Sequence, residues 1–173
     1  MKEKNTVYYL IRERILAKRE AEGNHITDYL FRDGKWAEDS GHAVMDRLMG
    51  YDPSEPEESP YRFGSTDILM EMEEISREQA AHVMNQQILD VLKPRWAEML
   101  AAEKEEWKKK PWPAKLVEIQ YKLNGVKFSL LPADIGLSDD CWDQGFMESV
   151  QPDLGNDLKK YGATDVYYFG FLD

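Results

Sequence analysis

Hydrophobic and polar positions alternate most clearly around residue 124. Residues 116–123 and 126–131 read as two strands, and Asn124-Gly125 between them is a residue pair that favours a two-residue hairpin turn. Residues 164–171 are rich in aromatic side chains, which favours a strand. We therefore predict a C-terminal hairpin with an aromatic last strand added to its sheet.

The first third of the chain has a less regular pattern. Residues 6–11 fit a strand or one side of a helix equally well, whereas Asp33-Gly34 within residues 26–36 predicts a second hairpin. Residues 40–50 are typical of a short amphipathic helix that ends at Gly50. The apolar side chains that we expect this helix to bury are Val44, Met45, Leu48 and Met49.

A long helix is predicted to begin after Ser76. Ser76 and Gln79 have the spacing of a capping box, in which each side chain accepts a hydrogen bond from the other residue's backbone N–H. We expect this helix to be interrupted at Pro94, because proline lacks the N–H donor, and to resume as far as Trp107. The positions expected to face inward in its first half are Ala80, Met84, Ile88 and Val91.

The last helical signals lie before the aromatic strand. Ser138, followed by Asp139 and Asp140, predicts a helix start. Pro152 is expected to divide that helix from a short one that ends near Gly162. Together with the strands, these elements predict an α+β fold, in which helices pack against an antiparallel sheet.

Length and composition add limits to this picture. A chain of 173 residues has the size of one domain, and residues 1–64 are a candidate peripheral lobe. We expect no membrane span, and charged residues break the apolar stretch near the start, so we expect a cytoplasmic location. The single Cys141 agrees with a reducing compartment and is interpreted as a small buried residue.

The net charge of −11 is unevenly distributed along the chain. Residues 25–92 carry a net charge of −10 and residues 128–173 carry −7, whereas residues 1–24 and 93–127 carry +2 and +4. Acidic surfaces of this kind repel nucleic acid and anionic membranes and attract basic surfaces. The distribution therefore directs attention to residues 25–92.

An acidic, proline-rich loop lies between Gly50 and Gly64 and precedes a second acidic stretch. Residues 66–75 alternate with a period close to two, which predicts a strand with one acidic face carrying Glu71 and Glu73. We expect the loop to be held against the protein by Tyr51, Tyr61 and Phe63. The candidate partner-binding residues are the carboxylates of both stretches: Asp52, Glu55, Glu57, Glu58, Asp67, Glu71, Glu73, Glu74 and Glu78.

These carboxylates lead to the first functional interpretation. Alternate residues of a strand stand about 6.6 Å apart, and a DNA strand carries one phosphate per roughly 3.4 Å of axis, so such a surface could imitate nucleic acid charge. We therefore expect a non-enzymatic binding protein that docks a basic protein surface, such as the nucleic-acid groove of a nuclease. In composition alone, the chain is similar to small acidic inhibitors of restriction and CRISPR nucleases from phages and mobile elements. A solvated acidic face that only aids solubility is the simpler alternative.

Three other interpretations stay open. A metal-dependent hydrolase could use two His-acid pairs at helical spacing, and its ligands would be His42, Asp46, Glu78 and His82. Lys108, Lys109 and Lys110 beside Trp107 and Trp112 could contact nucleic acid. The same tryptophans and the C-terminal strand could instead pack in an oligomer. Phosphate-binding glycine motifs and a nucleophile elbow are missing from the sequence, and we expect no cofactor.

Overall fold

The computed structural model describes residues 3–107, 117–135 and 151–170. The fold is α+β, as predicted, with antiparallel sheets and helices that pack against them. The chain divides into two compact units, residues 1–84 and residues 85–173. The predicted single domain, with residues 1–64 as a peripheral lobe, stays a prediction, because compact units can belong to one domain.

The first unit contains a five-stranded antiparallel sheet. Its strands are β1 (Lys4–Ile11), β2 (Ile15–Glu22), β3 (His25–Arg32), β4 (Lys35–Glu38) and β5 (Met72–Ile75), in the spatial order β4-β3-β2-β1-β5. The first four strands form a meander, and β5 pairs with β1 at the other edge. Residues 6–11, which fitted either structure, therefore belong to a strand.

Tight turns connect the meander. The predicted hairpin at Asp33-Gly34 is confirmed, and both residues have the positive φ angles, 52° and 78°, that a two-residue turn of this kind requires. Gly23 has φ 62° in the turn between β2 and β3. Arg12 and Glu13 also have positive φ, which is uncommon for residues with a Cβ.

Helix α1 (Ala43–Met49) covers one face of this sheet. Asp39 stabilises the start of the helix, because its two carboxylate oxygens accept hydrogen bonds from the backbone N–H groups of Ala43 and Val44 at 3.0 and 2.9 Å. Val44 is buried with side chains of β1, β2 and β3, and these residues form the core: Ile11, Ala17 and Leu30. The helix ends at Gly50, as predicted.

Two predictions for this unit were wrong. Only Val44 of the expected apolar face of α1 is buried, whereas Met45, Leu48 and Met49 are exposed. Residues 66–75 do not form one strand, because helix α2 (Thr66–Leu69) occupies the first part and β5 begins at Met72. The reason is geometric, since β1 offers a partner to this segment only from Ile11, which pairs with Met72.

Helix α3 (Arg77–Trp107) runs from the first unit into the second. The capping box is confirmed, since Ser76 N donates to Gln79 Oε1 at 2.8 Å and Gln79 N donates to Ser76 Oγ at 3.1 Å. The expected interruption at Pro94 was wrong, and Pro94 lies inside a continuous helix where its side chain is exposed. Buried residues recur at every fourth position, with Ala81 and Leu89 buried beside them: Ala80, Met84, Ile88, Leu92, Trp96 and Leu100. Val91, which was expected to face inward, is exposed.

The second unit contains a three-stranded antiparallel sheet. Its strands are β6 (Val117–Leu123), β7 (Val126–Leu130) and β8 (Thr164–Gly170), in the spatial order β7-β6-β8. This order confirms the hairpin at Asn124-Gly125 and the added aromatic strand. A 3-10 helix spans Pro132–Ile135, and helix α4 (Gln151–Lys160) precedes β8. The predicted short helix ending near Gly162 is thus present, whereas the start at Ser138 lies outside the described residues.

Candidate functional site

The acidic loop, residues 51–64, has a closed neck. Gly64 N donates to Met49 O at 2.9 Å, and Ser65 N donates to Gly50 O at 3.0 Å. Gly50 has φ 61°, and a Cβ at this position would lie 2.7 Å from Ser65 N. The two ends of the loop therefore lie against each other at the end of α1. Gly50 permits this close approach of the backbone because it has no Cβ.

Arg62 organises the interior of the loop. Its Nη2 donates to the Tyr51 hydroxyl at 2.6 Å and its Nη1 donates to the Glu55 carbonyl at 3.1 Å. The guanidinium also lies 5.0 Å from the centroid of the Tyr51 ring, and Tyr51 contacts Phe63 with ring centroids 5.5 Å apart. These contacts of Tyr51 and Phe63 are made within the loop itself, so their expected role in holding it against the rest of the protein stays a prediction. Tyr61, which was expected to act with them, is 74% exposed.

Two of the four loop carboxylates serve the loop itself. Asp52 accepts hydrogen bonds from the Ser54 hydroxyl at 2.6 Å and the Ser54 N–H at 2.9 Å, and these bonds lower the pKa of Asp52. Glu55 accepts a hydrogen bond from the Ser59 hydroxyl at 2.8 Å. Glu57 and Glu58 lie at the exposed part of the loop. Among the described residues no cation pairs with either of them.

Glu71 is not part of an exposed acidic row. Its carboxylate lies 3.0 Å from Arg12 Nη2 and 3.2 Å from Arg47 Nε, although the second contact lacks hydrogen-bond geometry. The hydrogen bond from Arg12 is the main cause that lowers the pKa of Glu71. Glu71 therefore joins the β1–β2 turn to α1, and the predicted row with Glu73 was wrong because Glu71 precedes β5.

The remaining predicted residues lie on separate elements. Glu73 and Glu74 are exposed neighbours on β5, so their side chains point to opposite faces of the sheet. Asp67 is exposed on α2, and Glu78 is exposed in the first turn of α3. The structure thus places Asp52, Glu55, Glu57 and Glu58 in one ordered loop and leaves the other acids distributed over α2, the turn that precedes β5, β5 itself and α3.

The alternative metal site does not assemble. Among the described residues, which include both pairs, no group of three or more histidine, cysteine or acidic side chains could hold a metal ion. His42 is the residue before α1 and has φ 57°, so it does not share a regular helix with Asp46 as expected. Glu78 and His82 lie on α3.

Sequence reasoning missed an exposed apolar surface next to the loop. Met45, Leu48 and Met49 were expected in the core and are instead exposed, as are Tyr61 and Phe63. No signal in the sequence indicates this exposure, because Val44 and Leu48 lie four residues apart, which is the spacing of a buried helical face, and only the fold shows that Val44 alone of the four expected residues of α1 is buried.

Several predictions fall outside the described residues. These are the interpretations of Cys141, Lys108, Lys109, Lys110 and Trp112, and the side chain of Trp107. The C-terminal strand is described as far as Gly170, and its Tyr167 and Tyr168 are exposed.

Comparisons of the chain with protein-family models, with characterised proteins and with solved structures gave no match. Within the described residues, the helices lack the combination of length and apolar character that crossing a bilayer requires. Any function must therefore be inferred from the chain's own residues.

Proposed function

We propose that this chain is a non-enzymatic binding protein that docks a basic protein surface through the acidic loop. The observation that carries the proposal is that the acidic loop is ordered by its own contacts and also presents carboxylates that no cation neutralises among the described residues. Arg62, Tyr51 and the closed neck hold the loop in one arrangement, while Glu57 and Glu58 extend from it without a cation among the described residues. A loop that is already ordered loses less conformational entropy on binding.

The charge of the loop favours a basic partner. Unpaired carboxylates on an exposed loop attract a cationic surface over roughly a Debye length, about 8 Å at physiological salt, and raise the association rate. The nucleic-acid groove of a cytoplasmic nuclease is one surface of this kind, since it is built to accept phosphate charge. The inhibitory role expected from the sequence belongs to this proposal.

The test compares three forms of the protein on an affinity support. The wild type is compared with Glu57→Lys/Glu58→Lys and with Glu38→Lys/Glu98→Lys, which has the same net charge but alters exposed acids on β4 and α3. We expect the wild type and the control to retain the same partner from host extract and the loop variant to lose it.

The retained partner is then measured in solution. We expect its dissociation constant to rise by about tenfold or more between about 50 and about 300 mM NaCl, and a DNA duplex to compete if the partner surface is a nuclease groove. Equal retention by all three forms, or an affinity that salt does not change, would contradict the proposal.

A further inference from the structure

Four apolar side chains, two in the acidic loop and two at the adjoining end of α1, are exposed to solvent. They come from the last turn of α1 and from the arm of the loop that returns to it: Leu48, Met49, Tyr61 and Phe63. Met49 is 49% exposed and Phe63 is 53% exposed, although Phe63 also contacts Tyr51. We name these four residues the apolar patch.

The backbone brings the two parts of the apolar patch together. The bond from Gly64 N to Met49 O places Phe63, the residue before Gly64, beside the end of α1. Leu48 and Met49 follow Val44 by four and five residues, so they extend round the helix from its buried side. The backbone bond thus places the helical part of the patch next to its loop part, and methionine is a flexible side chain that adapts to a contact surface.

The charges of residues 45–70, the segment that carries the apolar patch, are mostly negative. Arg19, whose Nη2 lies 3.8 Å from Met45 Sδ, is paired with Asp28. Arg47 and Arg62 are the cations of residues 45–70, and both are engaged, Arg47 with Glu71 and Arg62 with Tyr51 and the Glu55 carbonyl. The exposed charged groups of the same segment are carboxylates, and they include Glu57, Glu58 and Asp67. An occupant must therefore combine apolar contacts with positive charge.

This combination separates the candidate occupants. A second copy of the chain would bring the same carboxylates against each other, and like charges at an interface are unfavourable. A nucleic acid or an anionic membrane would meet the same repulsion. A cationic amphipathic segment suits both features, because its apolar face can cover the patch while its lysines and arginines reach the loop acids.

We infer that the apolar patch binds a cationic amphipathic segment of a partner protein. The inference rests on the proposed function for the role of Glu57 and Glu58, and it adds an apolar contribution that salt does not screen. Aromatic residues in a contact surface commonly supply a large share of the affinity, so Tyr61 and Phe63 are the expected anchors.

The probes for the test are two synthetic peptides made of leucine and lysine. One has its leucines along a single helical face, and the other has the same composition with its leucines spread around the helix. Dissociation constants are measured by calorimetry at low and at moderate salt. We expect the first peptide to bind at least about tenfold more tightly than the second, and to retain part of its affinity when salt is raised.

Variants assign this difference to the apolar patch. Met49→Ser/Tyr61→Ser removes two exposed side chains and leaves the contact of Tyr51 with Phe63, and Ile26→Ser/Tyr167→Ser is the matched control at exposed apolar positions elsewhere. We expect the first variant to weaken the amphipathic peptide by about tenfold and the control to leave it unchanged. Circular dichroism of both variants confirms that they are folded.

Different outcomes separate this inference from the proposed function. If both peptides bound equally well and Glu57→Lys/Glu58→Lys bound neither, the inferred role of the apolar patch would be overturned, whereas docking through the acidic loop would still stand. Binding of neither peptide would also overturn the inference. The proposed function is tested independently of the peptides, by whether the wild type and the two charge-reversal variants retain a partner on the affinity support. A dimer in sedimentation that Met49→Ser/Tyr61→Ser dissociates would overturn it in favour of self-association.

Discussion

Asp157 is a buried carboxylate that joins α4 to α3 within the second unit. It is 6% exposed, and its Oδ2 accepts a hydrogen bond from Trp96 Nε1 at 3.0 Å. Its Oδ1 lies 3.6 Å from both Arg95 Nη2 and Lys160 Nζ. A buried carboxylate is tolerated when such partners surround it, and of these partners only Trp96 is itself buried.

This arrangement predicts unequal effects for two substitutions. Asp157→Ala should lower the free energy of unfolding by about 1–3 kcal/mol, because the indole N–H of buried Trp96 loses its acceptor, whereas the two cations are largely exposed and stay hydrated. Asp157→Asn should cost less, since an amide oxygen can still accept from Trp96. Urea unfolding followed by fluorescence measures both values. If the two variants were equally stable, the hydrogen bond to Trp96 would not be the important contact.

Tyr121 is a second buried polar residue, and it gives the second unit an alkaline limit. Burial raises the pKa of Tyr121 to about 12, and its hydroxyl donates a hydrogen bond to Asn85 Oδ1. The unfolded chain ionises this group from about pH 10, so the folded state is at a disadvantage between the two values. The contribution of Tyr121 is therefore complete below about pH 10 and is lost as the pH rises towards about 12.

We expect the wild type to lose roughly 2–3 kcal/mol more than Tyr121→Phe over this interval, on the scale of about 1.4 kcal/mol per pKa unit. The two proteins are compared by urea unfolding at neutral pH and at about pH 11, the middle of this interval, where about half of the full difference, roughly 1.4 kcal/mol, is expected. Parallel pH dependences of the two proteins would show that Tyr121 ionises no later in the folded state than in the unfolded chain.

At the scale of elements, the acidic loop depends on the conformation of its two glycines. Gly50 and Gly64 both have positive φ, 61° and 75°, but only Gly50 approaches another part of the backbone. A Cβ at Gly64 would meet no atom within 4 Å. The two positions therefore separate the cost of the backbone angle from the cost of crowding at the neck.

We expect Gly64→Ala to lower the free energy of unfolding by about 1–2 kcal/mol, the cost of the left-handed conformation. Gly50→Ala should cost more than this, because the neck must also open to admit the methyl group. Limited proteolysis of the loop, compared at equal unfolded fraction, should show faster cleavage in Gly50→Ala. Equal stability of Gly50→Ala and Gly64→Ala would contradict the expectation that crowding at the neck adds to the cost at Gly50.

Not every element was visible in the sequence. Asp33-Gly34, Asn124-Gly125 and the pair Ser76 with Gln79 act over a few residues, and all three were predicted correctly. Strand β2 was missed, because alanine, lysine, arginine and glutamate favour helices and only pairing on both sides makes it a strand. Gly23-Asn24 after β2 was a usable turn signal, whereas Arg12-Glu13 before it gave none.

The candidate site was predictable to a similar extent. Gly50 and Gly64 marked the ends of the loop, and its exposed Glu57 and Glu58 were named from the sequence. The role of Arg62 was not predictable, because it depends on Tyr51 and Glu55 being folded towards it. Glu71 was misplaced for the same reason, since its partners Arg12 and Arg47 are distant in sequence.

For the whole molecule, the excess of acids outweighs its ion pairs. The chain has 33 acidic and 22 basic side chains. In ion pairs such as Arg19 with Asp28 and Lys122 with Asp165 one cation neutralises one carboxylate, so an excess of negative charge remains. The unpaired carboxylates repel one another, which opposes the compact state at low ionic strength. Salt reduces this repulsion because it screens exposed charges.

We therefore expect the melting temperature at pH 7 to rise by a few degrees when NaCl is increased from about 20 to about 300 mM. Near the isoelectric point of about 4.8 the same change in salt should have little effect, because the net charge is then close to zero. Differential scanning calorimetry gives both values. A melting temperature that falls with salt at pH 7 would show that attractive ion pairs outweigh the repulsion.

The sequence by itself determined the features that act locally or add up along the chain. Turns, the capping box, the α+β class and the charge of −11 are of this kind, since each depends on residues near one another or on a simple count. Tertiary structure alone decided that Met49 and Phe63 are both exposed, and that Glu71 is paired while Glu57 and Glu58 have no cation partner in the described part of the chain. The physical reason is that exposure and charge pairing are set by which distant segments fold next to each other.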